Sequence, residues 1–98
     1  MSAGYVSTAL ATDTPVVALG VQWDSDIITL EAGSSGIWVD NQDGIRHTFT
    51  VPELDIDLEI PAFTAQRIDI EGAVPGEYQV ICTVPGHELM TATLVVEG

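Results

Sequence analysis

Apolar and polar residues alternate with a period of two along much of the chain, a pattern typical of strands that bury one face. In residues 53–60, four aliphatic side chains alternate with four acidic side chains. This segment therefore predicts a strand with an apolar inner face and an acidic outer face. Residues 67–71 alternate in the same way and predict another strand.

Further predicted strands are separated by short segments rich in Gly, Pro, Asp and Ser, which favour turns. These strands cover residues 16–23, 27–31, 36–41, 45–51, 76–82 and 91–97. About eight short strands and no predicted helix indicate an all-β fold, arranged as an antiparallel sandwich or barrel.

The length of 98 residues fits one domain rather than two. Residues 1–14 are mostly small and polar, so we expect a loose N-terminal arm followed by a single domain over residues 15–98. No apolar run is long enough to cross a membrane. The sequence shows no basic-then-apolar leader, so we expect a cytosolic protein or a trimmed form of an exported one.

The charge of the chain is strongly unbalanced, with 15 acidic residues against two arginines, and the net charge is −13. Such a surface repels the phosphates of nucleic acids and the headgroups of anionic lipids. It suits a basic partner protein, whose approach an acidic field would accelerate. Acidic residues that only keep the domain in solution are an equally good explanation.

Both histidines of the chain, its single cysteine and its one methionine beyond Met1 fall into one pattern. The set is His47, followed by Cys82, His87 and Met90. One cysteine cannot form an internal disulfide, so Cys82 is a buried spectator, a reactive thiol or a metal ligand. Taken alone, His47, Cys82 and Met90 would each more often be an ordinary core residue, but the joint spacing of the set favours a metal site.

Strand geometry explains how distant residues of this set could meet. His47 lies on the same face of its predicted strand as Ile45 and therefore points inward. Cys82 ends its predicted strand on the face that carries Val80. Two side chains at the ends of inward faces can meet at one pole of a sandwich, and a proline-glycine turn after the cysteine would return the remaining two ligands to that pole.

The residue types indicate which metal the site would bind. Two imidazoles, one thiolate and a weak axial thioether form the trigonal site of blue-copper electron-transfer proteins. Soft sulfur stabilises Cu(I) and imidazole suits both oxidation states, so such a site rearranges little when an electron moves. A structural zinc site would more often contain several cysteines in paired spacing, which this sequence lacks. The residues therefore predict one Cu(I)/Cu(II) ion.

At these residues the chain resembles the cupredoxins, the small blue-copper family that includes plastocyanin, azurin and rusticyanin. Two segments carry the resemblance: residues 76–87, which include the Cys-to-His loop, and residues 41–49 around the first histidine. The resemblance covers roughly residues 15–98. It implies a Greek-key β-sandwich of about seven to eight strands with copper at one end.

The same resemblance implies roles for individual residues. The copper ligands that it implies are His47, Cys82, His87 and Met90. Thr48 and Thr83 would join the two ligand loops through a hydrogen bond. Asn41 would hold the loop before the first histidine, although a plain turn role explains this residue equally well.

The sequence departs from the family pattern at the last ligand. Only Glu88 and Leu89 separate His87 from Met90, a shorter spacing than in most mononuclear members. A tighter loop could shift the thioether relative to the copper. Glu88 is an alternative oxygen ligand, although its position next to His87 makes that geometry awkward.

The resemblance implies a carrier of single electrons between redox partners, rather than an enzyme. Its expected partner is a redox protein such as a basic cytochrome, and we expect a monomer located outside the cytoplasm, in the periplasm of a bacterium for example. Two alternatives stay open: a module that stores or delivers copper, and a copper domain of a larger membrane-anchored oxidase or reductase. Redox cycling separates the carrier from the storage module.

Overall fold

The structure is a computed structural model that describes residues 9–31, 34, 36–70 and 72–98. Within these ranges the chain forms eight strands and one short 3-10 helix. The strands are β1 (Thr14–Ala18), β2 (Ile27–Leu30), β3 (Gly36–Asn41), β4 (His47–Val51), β5 (Ile56–Ile60), β6 (Ala65–Asp69), β7 (Gly76–Ile81) and β8 (Thr91–Val96). Residues 1–8 of the expected N-terminal arm and residue 71 of a predicted strand lie outside the described residues.

The strands form two sheets that pack face to face. One sheet has the order β1-β3-β6 and the other has the order β2-β8-β7-β4-β5. The pairs β1/β3 and β2/β8 are parallel, and the other pairs are antiparallel. Successive strands along the chain change sheets repeatedly, and the predicted all-β Greek-key sandwich is confirmed.

The core lies between the two sheets and is built from the inward side chains of both. Val16, Ile37 and Val39 come from the smaller sheet and are at most 1% exposed. Phe49 and Leu94 come from the larger sheet and are fully buried. Burial of such side chains contributes about 1.5–3 kcal/mol each, so this contact between the sheets holds the two layers together without a disulfide.

Strand β4 is buried on both faces, and it begins at His47 rather than at Ile45. Phe49 faces the core, while Thr48 on the opposite face is only 6% exposed. Ile45, which was expected to point inward with the histidine, is 46% exposed. The reason is that the chain before His47 forms a loop, so strand alternation does not extend back to Ile45.

The predicted strand over residues 16–23 is interrupted. Strand β1 ends at Ala18, the backbone turns through Gly20 and Val21 with positive φ, and Trp23 pairs back to Ala18. The indole of Trp23 then packs edge-on against Phe49, with ring centroids 5.4 Å apart. An apolar residue near the end of the segment thus reaches the core by a turn and not by a continuous strand.

The acidic segment that was predicted as one strand over residues 53–60 starts with the 3-10 helix Pro52–Leu54. Asp55 adopts the left-handed conformation after it, with φ 57°, and β5 begins at Ile56. The four acidic side chains are exposed, as predicted, and the aliphatic residues between them are half-buried or buried. Strand β5 lies at an edge of the larger sheet.

The topology brings two distant parts of the chain to one end of the sandwich. Strands β4 and β7 are antiparallel neighbours, so the start of β4 lies beside the end of β7. His47 is the first residue of β4, and Cys82 directly follows β7. Among the described residues, no helix has the length and hydrophobicity needed to cross a membrane.

Candidate metal centre

Three potential metal ligands converge at this end of the sandwich. The Nδ1 atoms of His47 and His87 are 3.3 Å apart. Sγ of Cys82 lies 3.9 Å from the first of these nitrogens and 3.4 Å from the second. All three side chains are buried. Residues separated by up to 40 positions in the sequence therefore present three donor atoms to one point.

The hydrogen-bonding state of His47 follows from its neighbours. Nε2 of His47 lies 2.7 Å from Oδ2 of Asp43. An ionised carboxylate only accepts hydrogen bonds, so Nε2 donates its hydrogen to Asp43, and the lone pair available to a metal is that of Nδ1. That lone pair faces the ring nitrogen of His87 and the sulfur of Cys82, two further electron-pair donors. Three donors that face one another in this way can bind one cation between them.

The spacing of the three donors also fits a metal ion. In a trigonal plane with metal–nitrogen bonds of about 2.0 Å and metal–sulfur bonds of about 2.3 Å, neighbouring donors lie about 3.5–3.7 Å apart. The three measured separations, 3.3, 3.4 and 3.9 Å, fall around these values. Two nitrogens and one thiolate match the equatorial ligand set that copper prefers in trigonal sites.

The sulfur of Cys82 has a backbone partner on the neighbouring strand. The N–H of Thr48 donates to Sγ at 3.4 Å. The Thr48 hydroxyl accepts from the N–H of Thr83 at 2.8 Å and lies 3.1 Å from the Thr83 hydroxyl. The structure therefore joins the start of β4 to the residue after the cysteine, and the two predicted threonines are the residues that make this link.

Asn41 lies at the end of β3 and is 1% exposed. Its side-chain NH₂ donates to the carbonyl oxygens of Ile45, Ile60 and Pro61 at 2.9–3.2 Å. Its side-chain oxygen accepts from the N–H of Asp43 at 2.9 Å. One buried amide thus fixes both ends of the loop that precedes His47.

The loop from Cys82 to Met90 is closed by two successive turns. The N–H of His87 donates to the carbonyl of Val84, and the N–H of Met90 donates to the carbonyl of His87, both at 3.0 Å. Gly86 has φ 90°, a conformation that a side chain would strain, so glycine is needed between the proline and the histidine.

Met90 and Glu88 occupy very different environments in this loop. Met90 is 1% exposed and belongs to the same buried cluster as Cys82. Glu88 is exposed, and its carboxylate accepts from the N–H of Gly86 at 3.2 Å. The buried thioether is therefore a better candidate for a fourth ligand than the exposed carboxylate.

Asp43 was not singled out from the sequence, where it forms part of an Asp-Gly turn. Burial raises the pKa of its carboxyl, but hydrogen bonds from the N–H groups of Gly20 and Val21 and the contact with His47 outweigh burial and hold that pKa below its ordinary value. Asp43 is therefore ionised at neutral pH. The available signal was a carboxylate four residues before a candidate ligand, because ligating histidines commonly donate their other N–H to such a group.

Aromatic side chains surround the inner side of the centre. The ring centroid of Trp23 is 6.5 Å from that of His47, and the imidazole rings of the two histidines are 5.0 Å apart. With Phe49 behind Trp23, this side of the site is apolar. An apolar wall lowers the local dielectric, and the charge of a bound ion is then compensated mainly by its own ligands.

The chain matches a domain family in sequence and solved copper proteins in fold. The sequence model of the cupredoxin-like domain family matches residues 2–96. The Cu(I) form of an amicyanin variant is 15% identical, with a TM-score of 0.75 over 91% of this chain and 86% of its own. Amicyanin from Paracoccus versutus (Thiobacillus versutus) is 18% identical, with a TM-score of 0.69 and coverage of 91% and 85%.

A third solved structure is auracyanin A, a "blue" copper protein from the green thermophilic photosynthetic bacterium Chloroflexus aurantiacus. It is 19% identical, with a TM-score of 0.68 over 85% of this chain and 96% of its own. No curated protein sequence matches the chain. The structural matches support the fold, and the family model covers nearly the whole sequence: the chain belongs to the cupredoxin-like domain family.

Proposed function

We propose that this chain is a mononuclear type 1 copper protein that carries one electron at a time between redox partners. The observation that supports this most directly is the convergence of two imidazole nitrogens and one thiol sulfur, all buried. The likeness in fold to auracyanin A, a blue copper protein, and to a Cu(I) form of an amicyanin variant agrees with it.

In this proposal His47 and His87 would bind through Nδ1, Cys82 would bind as a thiolate and Met90 would supply a weak thioether donor. A copper ion held by such a set supplies a one-electron couple. The protein fixes the ligands beforehand: the Thr48 N–H holds the sulfur, and the link to Thr83 prevents the two loops from separating. Little rearrangement is then required when the oxidation state changes.

Electrons would enter and leave through His87, which is 8% exposed whereas His47 is fully buried. Its loop carries an apolar collar of Val84, Pro85 and Leu89, and Leu89 is 95% exposed. A redox partner that covers this collar would approach the ligand ring closely. We infer a location outside the cytoplasm from the likeness to cupredoxins.

The test begins with metal-free protein and Cu(II). An intense visible band from thiolate-to-copper charge transfer is expected, with one copper per chain and a reversible couple in voltammetry. Replacing Cys82 with Ser should abolish the band, because the hydroxyl cannot provide the thiolate donor. Zn(II) is the control, since it should occupy the site without producing a visible band.

Two results would contradict the proposal. Wild-type protein that binds copper without the charge-transfer band would exclude thiolate ligation. Protein with the band but without a reversible couple, and with rapid copper exchange, would instead support a module that stores or delivers copper.

A further inference from the structure

A carboxylate lies behind the buried nitrogen ligand of the proposed centre. Oδ2 of Asp43 contacts Nε2 of His47 at 2.7 Å, and the other ring nitrogen faces Cys82 and His87. The side chain of His47 is fully buried and that of Asp43 is only 12% exposed. Water therefore competes little for this contact.

Hydrogen bonds from three segments hold Asp43 in place, two of them to its carboxylate and two to its backbone. Oδ1 accepts from the N–H of Gly20 at 2.7 Å, and Oδ2 accepts from the N–H of Val21 at 3.0 Å. Asp43 donates its own N–H to Oδ1 of Asn41 at 2.9 Å, and its carbonyl accepts from the N–H of Phe63 at 3.2 Å. One segment thus fixes the carboxylate of Asp43, and two others fix its backbone.

Two of these segments adopt a strained backbone where they meet Asp43. Val21 has φ 57° and Phe63 has φ 58°, values that bulky residues rarely adopt. Such conformations persist only where the surrounding structure holds them, and they concentrate at functional sites. Both residues donate their N–H to Asp43, so the strained turns serve to position this residue.

We propose that Asp43 is a positioning residue of the metal centre, which fixes His47 as the Nε2–H tautomer and favours the oxidised state of the bound copper. The tautomer leaves Nδ1 free to ligate. A carboxylate on the far side of the ring makes the imidazole a stronger donor, and a stronger donor stabilises Cu(II) more than Cu(I). The identity of the metal rests on the proposed function above, whereas the tautomer does not.

The first experiment compares wild type with Asp43→Asn, which removes the negative charge but keeps an oxygen that can accept from the ring. The affinity for Cu(II) should fall about 10- to 100-fold, a usual cost of losing such a partner. The affinity for Cu(I) should fall less. Each tenfold difference between these two losses raises the reduction potential by about 59 mV.

The matched control is Asp24→Asn. The Asp24 carboxylate also accepts a backbone hydrogen bond, from the N–H of Val17 at 3.1 Å, and it is exposed. This variant changes the net charge equally and should leave the potential and both copper affinities at wild-type values. Equal effects of the two variants would show a general charge effect and would overturn the proposal.

The second experiment needs no metal. Nitrogen-15 NMR of metal-free wild type at pH 8 should show a hydrogen on Nε2 of His47 and none on Nδ1, and Asp43→Ala should populate both tautomers. A hydrogen on Nδ1 of His47 in wild type overturns the proposal whatever the copper chemistry. Failure of wild type to bind copper would overturn the proposed function, and this spectrum would still decide whether Asp43 selects the tautomer.

Discussion

At the scale of single residues, the four proposed ligands are held with different firmness. His47 is fixed from behind by a carboxylate, and the sulfur of Cys82 accepts a backbone N–H from the neighbouring strand. His87 is set by its turn to Val84, and Met90 follows in the next turn of the same short loop. The proposed axial ligand is therefore placed by its loop and by burial in the core.

Substitution of Met90 by Leu tests this view of the axial ligand. The change nearly conserves volume, so the unfolding free energy of the metal-free protein should change by less than about 1.5 kcal/mol. Copper should stay bound while the reduction potential rises, because a donor that favours Cu(II) is removed. Voltammetry and copper content measure both outcomes.

The control for this change is Leu94→Met, the reverse substitution at a fully buried position in β8. It should leave the potential unchanged. Complete loss of copper from Met90→Leu would show that the thioether contributes more than a weak axial bond, and an unchanged potential would show that it is not a ligand.

The sequence predicts the ligand residues but not the carboxylate behind them. Two histidines, one cysteine and one methionine in a single pattern predict a copper site at His47, Cys82, His87 and Met90, and the structure brings the donor atoms of the first three together. In the sequence, Asp43 looks like an ordinary turn residue. Its partners at Gly20 and Val21 lie more than 20 positions away. A contact of that range leaves no periodic signal in the sequence.

At the scale of elements, the site depends on the link between β4 and the end of β7. These strands meet through one paired position, Thr50 with Ile81, so the ladder alone ties them weakly. The Thr48 hydroxyl strengthens the link through Thr83. The two loops that carry the ligands are thus held together mainly by side-chain hydrogen bonds.

Replacing Thr48 with Val removes the acceptor for the Thr83 N–H and should lower the unfolding free energy of the metal-free protein by about 1–2 kcal/mol. It should also speed copper loss to a chelator, because the loops separate more readily. Thr14→Val is the control. That part-buried hydroxyl donates to the carbonyl of Thr29 and not to a ligand loop, so its loss should reduce stability without accelerating copper release. Equal release rates in the two variants would contradict a specific role for Thr48.

Strand patterns predicted the fold class and most strands. They gave wrong strand bounds where long-range contacts determine the backbone conformation. Residues 16–23 contain enough apolar residues for one strand, yet β1 ends at Ala18. The turn that follows is held by Asp43, and Trp23 fills the core beside Phe49. Parallel pairing of β1 with β3 and of β2 with β8 is likewise set by the closure of the sandwich, which no local pattern encodes.

At the scale of the whole molecule, the charge of −13 is the dominant property of the surface. Part of it forms an acidic face on β5 and the turn before it, where Glu53, Asp55, Asp57 and Glu59 are exposed. Charges on an edge strand also prevent pairing with other chains, so this face has a structural use that requires no partner. The rate of electron transfer to a partner can distinguish a docking role from this structural role.

If the acidic face guides a basic redox partner, the rate of electron transfer to a basic cytochrome should fall about tenfold or more between low and physiological ionic strength. The double variant Asp55→Asn/Glu59→Gln should reduce the low-salt rate and flatten this dependence. Asp26→Asn/Glu97→Gln makes the same charge change at exposed positions flanking β2 and β8, and should have a smaller effect. If the two double variants reduce the rate equally, the attraction depends on net charge alone. A docking role for the acidic face requires a larger effect at Asp55 and Glu59, because both double variants remove the same charge.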